Sequence, residues 1–198
     1  MGSMHKAIEE NATSLEHHFL IAMPQLRDPN FNGTVTYLWR HDDNGALGVV
    51  INRCSRLPVS DLMSELKITV SDDMVARLSE KKVMAGGPVE RSKGFIVHPT
   101  TDEWEYTMRV NDDVSLSMSK DILQAIARGE GPDRYLIALG CAGWESGQLE
   151  QEISDNAWLT VPADPEILFS EDFDNMAKAA AGILGVSLSQ LSSLTGHS

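Results

Sequence analysis

The chain has 198 residues, of which 42% are apolar and 23% charged, and its net charge is −13. That balance is typical of a soluble globular domain, no apolar run approaches the roughly 18 residues of a membrane span, and two cysteines are too few for a disulfide framework or a four-thiolate zinc site. The charge is uneven, with 20 acids against 15 bases through Arg134 and then 9 acids against Lys178 alone, so a surface built from the second segment repels nucleic-acid phosphates and is either a solvated acidic face or a match for a basic partner.

Residues 1–3, Met-Gly-Ser ahead of Met4, read as a cloning remnant, and residues 4–198 as a single domain. Lys6 stands where a myristoylation signal needs Ser or Thr, and no secretion signal precedes the first apolar run, which points to the cytoplasm. Phe19–Met23 predicts a strand stopped by Pro24. Thr34–Trp39 and Leu47–Asn52 predict a hairpin about His41-Asp-Asp-Asn-Gly45. Ser60–Leu66 and Asp72–Ser79 predict helices opened by Ser and Asp caps. Val83–Met84 runs into Gly86-Gly87-Pro88, and Gly94–His98 predicts another strand. A second hairpin is expected across Asn111-Asp112, then a helix from Ser119 to Arg128 with Gly129 as its C-cap. Arg134–Leu139 predicts a strand, 146–156 a helix, Trp158–Val161 a strand, Asn175–Leu184 a helix and Ser189–Leu194 a last short one. Strands that arrive in hairpins, with helices between the clusters, argue for an α+β fold with a mixed, largely antiparallel sheet.

The stretch Ile137-Ala-Leu-Gly-Cys-Ala-Gly-Trp-Glu-Ser-Gly-Gln-Leu-Glu-Gln-Glu-Ile153 concentrates the candidate chemistry, because its pattern predicts a strand joined to a helix through a glycine turn. A nucleophile elbow needs its reactive residue between glycines as G-x-[Ser/Cys]-x-G, and Gly140-Cys141-Ala142-Gly143 is one residue out of register with no histidine at hand. A phosphate-binding loop needs a Lys that is missing here, while Glu145, Glu150 and Glu152 repel an anion. No metal-ligand spacing exists around His17-His18 or His41-Asp42-Asp43, so neither a metal nor a cofactor is expected. Ser60–Leu66 and Asp72–Ser79 have helix-turn-helix spacing, but Asp72 and Asp73 would face phosphates with the wrong sign, so direct DNA binding is not expected. On the 146–156 helix, Leu149 and Ile153 form a core stripe and Gln148, Glu152 and Asp155 a polar one.

Assembled, the segments resemble the AlgH/YqgE family of small bacterial proteins. The matching stretches are F19-L-I-A-M-P24, G33-T-V-T-Y37, G48-V-V-I-N-R53, G86-G-P-V-E90, G94-F-I-V-H-P99, S119-K-D-I-L123, A142-G-W-E-S-G-Q-L-E-Q-E152, N156-A-W-L-T-V161 and G196-H197. The resemblance implies a bifurcated sheet curled into a pseudo-barrel with flanking helices. It implies no catalytic residue and no cofactor, and a link to transcriptional regulation. Two departures stand out: Cys141 replaces a more usual aromatic, and Asp174–Lys178 lacks the Trp common before the last helix.

Two functional expectations follow. The first is a non-enzymatic regulatory protein that meets a protein partner, one of basic character, through Trp144, Gln148, Glu150, Glu152 and Asn156. The second is a binder or enzyme for a small anionic metabolite, its site set between Arg53, Gly86-Gly87, His98 and the Gly140–Gly143 turn.

Overall fold

The computed structural model describes residues 13–101 and 103–193. The readings that fall on residues 1–3, Lys6 and Gly196-His197 lie outside the described residues.

Among the described residues, ten strands form one sheet: β1 (His18–Ala22), β2 (Val35–Asp42), β3 (Gly45–Val50), β4 (Cys54–Pro58), β5 (Lys82–Ala85), β6 (Val89–Pro99), β7 (Thr107–Arg109), β8 (Val114–Ser117), β9 (Leu136–Glu145) and β10 (Trp158–Pro162). The main path runs β10-β1-β2-β3-β9-β6-β8-β7, and β4 and β5 branch from it. The fork lies on β9. Its second half, Ala142–Glu145, pairs antiparallel with β3, while Ala138 and Leu139 pair on the same edge with β5, in parallel. β6 lies along the other edge. This is the expected α+β, largely antiparallel, bifurcated sheet.

Strand alternation explains how one sheet feeds three cores. Phe19 and Ile21 of β1, Tyr37 and Trp39 of β2, and Phe95 and Val97 of β6 face a common interior cluster. Residues from both ends of the path share that cluster, Val161 of β10 with Leu116 of β8, so the sheet curls around it. The alternate positions face outward. Ile96 and Ile137 pack under helices α1 (Val59–Glu65), α2 (Val75–Glu80) and α3 (Lys120–Ala127) through Leu62, Met63, Leu78, Ile122 and Ile126. Leu20, Leu38 and Ala46 pack under α4 (Gln148–Ser154). Beyond a short α5 (Pro165–Leu168), α6 (Met176–Gly182) adds Met176, Ala180 and Ala181 to the interior cluster, and α7 (Leu188–Ser193) follows.

Three local expectations are corrected. The Gly140–Gly143 segment is not a strand-to-helix turn, because β9 runs straight through it to Glu145; Gly140, at φ 80, supplies a bend inside the strand. The strand-to-helix join falls later, at Gly147, whose φ is 76. α1 starts one residue early, at Val59 behind Pro58, and neither Ser60 nor Asp72 caps a helix: Pro58 is the N-cap of α1, and Asp72 opens a 3₁₀ turn, Asp72–Met74, that leads into α2 with Met74 at its N-cap, none of them with a side-chain bond. Proline fits there because the first helical turn needs no N–H partner from within the helix. The paired helices α1 and α2 bury Leu62, Met63 and Leu78 in the sheet-facing core, so this unit packs on the sheet as a structural layer.

Candidate functional site

The acidic face is built around α4. Leu149 is fully buried and Ile153 packs beside it on the third cluster, which leaves Gln148, Glu150, Gln151 and Asp155 exposed. Beneath them lies an aromatic group. Trp144 stacks on Phe31 with ring centroids 5.9 Å apart and meets Trp158 edge-on, also at 5.9 Å. Both indole N–H groups donate to the same oxygen, Glu152 Oε2, each at 2.8 Å. Gln148 donates to Glu152 Oε1 at 3.1 Å and accepts from the Glu145 N–H at 2.9 Å. Glu152 is therefore a tie between helix and aromatic floor, and Trp144, only 6% exposed, supports the face from below.

A second tie fixes the helix to β2. The Leu15 N–H donates to His41 Nδ1 at 2.9 Å, so the ring hydrogen sits on Nε2 and goes to Glu150 Oε1 at 2.5 Å. Partial burial alone would push the Glu150 carboxyl up, but the His41 bond and a helical N–H outweigh it and hold the group below the usual carboxylate range. Ser146 Oγ donates to the Asp43 carbonyl, which joins the β2–β3 hairpin tip to the start of α4. Asp42, Asp43, Glu145 and Glu150 thus share one region at the start of α4, while Asp155 lies at the helix's other end, and Arg40, beside the first group, is itself paired to Asp42 at 3.0 Å. Asn156, in the left-handed region at φ 59, ends the helix, and its carbonyl accepts from Gln25 at 2.7 Å.

The second predicted site is only partly gathered. Arg53, Gly87 and Pro88 line a cavity of about 290 Å³ together with Arg91. Arg53 is also a loop clamp, donating to the carbonyls of Pro29, Asn30 and Asn32 at 3.2, 2.7 and 2.9 Å. Gly86 and Gly140 stand at the fork behind this cavity, where a Cβ on Gly86 would lie 2.2 Å from the Gly140 carbonyl oxygen. Gly143 lies farther along β9, opposite Leu47. His98 is elsewhere. It is fully buried on β6, where its Nε2 meets Ser117 Oγ at 2.7 Å and its Nδ1 the Pro99 carbonyl at 2.9 Å. Cys141 is buried in β9, and burial pushes its thiol up, with Glu90 adding to the effect. Among the described residues no helix is long and apolar enough to cross a membrane.

Sequence reasoning misses His41 and Asp43 as parts of the acidic face and Arg91 as part of the cavity. His41 and Glu150 are 109 positions apart, a separation that no local pattern bridges. Arg91 follows the Gly-Gly-Pro signal closely enough that a strand beginning at Val89 would have brought it in.

A curled, forked α+β sheet with an acidic helix laid over its aromatic outer face defines the class of protein. The chain belongs to the AlgH-like family, DUF179, whose model matches residues 19–189. It is 48% identical over 186 residues to a UPF0301 protein of Nitrosospira multiformis, covering 94% of this chain and 98% of that one. It is likewise 48% identical over 189 residues to the UPF0301 protein AlgH of Pseudomonas aeruginosa, covering 96% and 98%. The solution structure of AlgH from P. aeruginosa superposes with a TM-score of 0.77 at 47% identity, over 98% of this chain and all of that one. A crystal structure of a Corynebacterium diphtheriae protein shares the fold at a TM-score of 0.69 and 18% identity, over 92% and 93% of the two chains.

Proposed function

We propose that this chain is a non-enzymatic cytoplasmic regulatory protein, linked to transcription through contact with a basic protein partner and not through DNA. The observation that carries this reading is the convergence of Asp42, Asp43, Glu145 and Glu150 at the start of an acidic helix that is tied down at His41 and at both indoles and ends at the exposed Asp155. A held surface loses little side-chain and backbone freedom on association, so its charge can act on partner choice and encounter rate. Glu152 and Trp144 belong to the support. The side chains offered outward are Glu145, Gln148, Glu150 and Asp155. The test is capture of partners from extract of the source organism, comparing wild type with Glu145→Lys/Asp155→Lys. The expected result is a basic protein held by the first and lost by the second. An identical set of proteins on both would sink the assignment.

A second reading is favoured by the cavity that joins Arg53, Gly87 and Pro88 to Arg91. Two guanidinium groups beside close-packed backbone suit a small anionic metabolite. A panel of carboxylate and phosphate metabolites should include one that raises Tm by about 5–10 °C at a hundredfold excess over Kd, an effect lost in Arg91→Ala. A panel without any shift overturns it.

A further inference from the structure

A separate cavity of about 370 Å³ opens where the end of α2 meets β5, the start of β9 and the chain after α5. Its lining combines two chemistries. Arg77, Lys81 and Lys82 bring a concentration of cations in a chain of net charge −13, and Met84, Phe169 and Phe173 bring apolar surface. Tyr135, 8% exposed, lines it too, and its buried hydroxyl has no hydrogen-bond partner among the described residues. An orphan hydroxyl in a buried position carries a desolvation cost that folding alone does not recover, which marks it as a group waiting for a partner.

Lys81 is positioned rather than free. Its ammonium lies 4.3 Å from the Tyr135 ring centroid and 3.4 Å from Glu171 Oε1, with 23% of its side chain exposed against 74% for Glu171. Burial, the larger influence, pulls its pKa below the usual lysine range, and Glu171 opposes this. An exposed carboxylate is a weak, screened partner for a half-buried ammonium, so an entering anion can replace it.

From this juxtaposition we infer that the cavity binds a small amphipathic anion, with its acid group on Lys81, Arg77 and the Tyr135 hydroxyl and its apolar body between Met84, Phe169 and Phe173. The size is that of a small-molecule pocket. Two acids at the rim, Glu80 and Glu171, select against multiply charged ligands and favour a single acid group on an apolar body.

The probe is 8-anilinonaphthalene-1-sulfonate, an anion on an aromatic body, titrated into the full chain and followed by fluorescence and by amide NMR shifts. The expected result is saturable binding at one site, with shifts centred on Tyr135, Phe169 and Phe173. Lys81→Met should weaken it about tenfold and Tyr135→Phe about fivefold, as the loss of charged and neutral hydrogen bonds requires. Glu171→Gln should tighten it, and Arg109→Ala, an exposed side chain on β7 that lines neither cavity, should leave it unchanged. Uncharged N-phenyl-1-naphthylamine should bind about tenfold more weakly than the sulfonate. Because the hydroxyl of Tyr135 is unpartnered, Tyr135→Phe should fold with unchanged or higher Tm, which keeps its binding defect interpretable. The inference is overturned if the sulfonate shows no saturable binding, if the shifts centre elsewhere, or if Lys81→Met and Tyr135→Phe bind like wild type.

Discussion

Gly87→Ala is expected to be the most damaging conservative substitution in this chain. Gly87 has φ 150, and a Cβ there would sit 2.2 Å from the Cys141 carbonyl oxygen, 2.3 Å from its carbon and 2.7 Å from the Ala142 nitrogen. All three atoms are backbone of β9, which is held by β3 and β5 on one edge and β6 on the other, so no flexible side chain can yield. The strand must move or the fork must open. We expect a loss of about 4 kcal/mol or more, and a fall in Tm of about 8–16 °C for a chain of this size. Gly94→Ala is the control, since nothing lies within 4 Å of where its methyl would sit and its backbone is not in the left-handed region; its change should stay within about 0.5 kcal/mol. Urea titrations of the two variants decide the matter, and equal midpoints would refute the packing account of the fork.

Glu152→Ala should be nearly as costly for a different reason. One carboxylate oxygen accepts from both Trp144 and Trp158, which are 6% and 4% exposed. Truncation strands two buried N–H groups at once, each at about 1–3 kcal/mol, so a loss of about 3 kcal/mol is expected. Glu152→Gln keeps an acceptor oxygen without the charge and should lose less than half as much. Tryptophan emission adds a specific readout, because water reaching either indole shifts it to the red. Glu152→Ala and Gln148→Ala should then separate cleanly: Gln148 serves the helix start and Glu152 Oε1, and its loss should leave the indole bonds in place. A Glu152→Ala variant with wild-type stability and emission would show that the tie carries nothing.

These two sites mark where the sequence is legible and where it is not. Continuous apolar runs such as Phe19–Met23 and that within Gly94–His98 announce strands with two apolar faces, and the structure fills both faces with separate cores. Asn44-Gly45 announces a hairpin, though the strands reach further, with Asp42 paired to Gly45. What defeats a local reading is glycine used for approach instead of turning. Gly140 and Gly143 look like punctuation before a helix, yet β9 passes through both; at Gly140 the backbone of Gly87 comes close at the fork, where a Cβ would lie 2.5 Å from its carbonyl oxygen. Nothing local says which glycine ends a strand and which only thins it. The same limit governs the candidate sites. Gln148 and Glu152 lie one helical turn apart, with Trp144 four residues ahead at the end of β9, and are legible together, whereas His41–Glu150 and Lys81–Glu171 join segments 109 and 90 positions apart. Arg53 is held in the loop between β3 and β4 and His98 on β6, and the register of β6 keeps His98 away from the cavity, paired opposite Ser115 on β8.

The acidic face as a partner-binding surface is the central claim, and salt tests it most directly. A captured partner would be titrated against wild type and against Glu145→Lys/Asp155→Lys as ionic strength rises from about 0.05 to about 0.3 M, where the screening length shrinks by more than half toward that of a direct contact. Charge-steered recognition predicts that wild-type affinity falls about tenfold or more across that range, and that the double variant binds poorly throughout with almost no salt dependence. Affinity that ignores both the salt and the two lysines would contradict it.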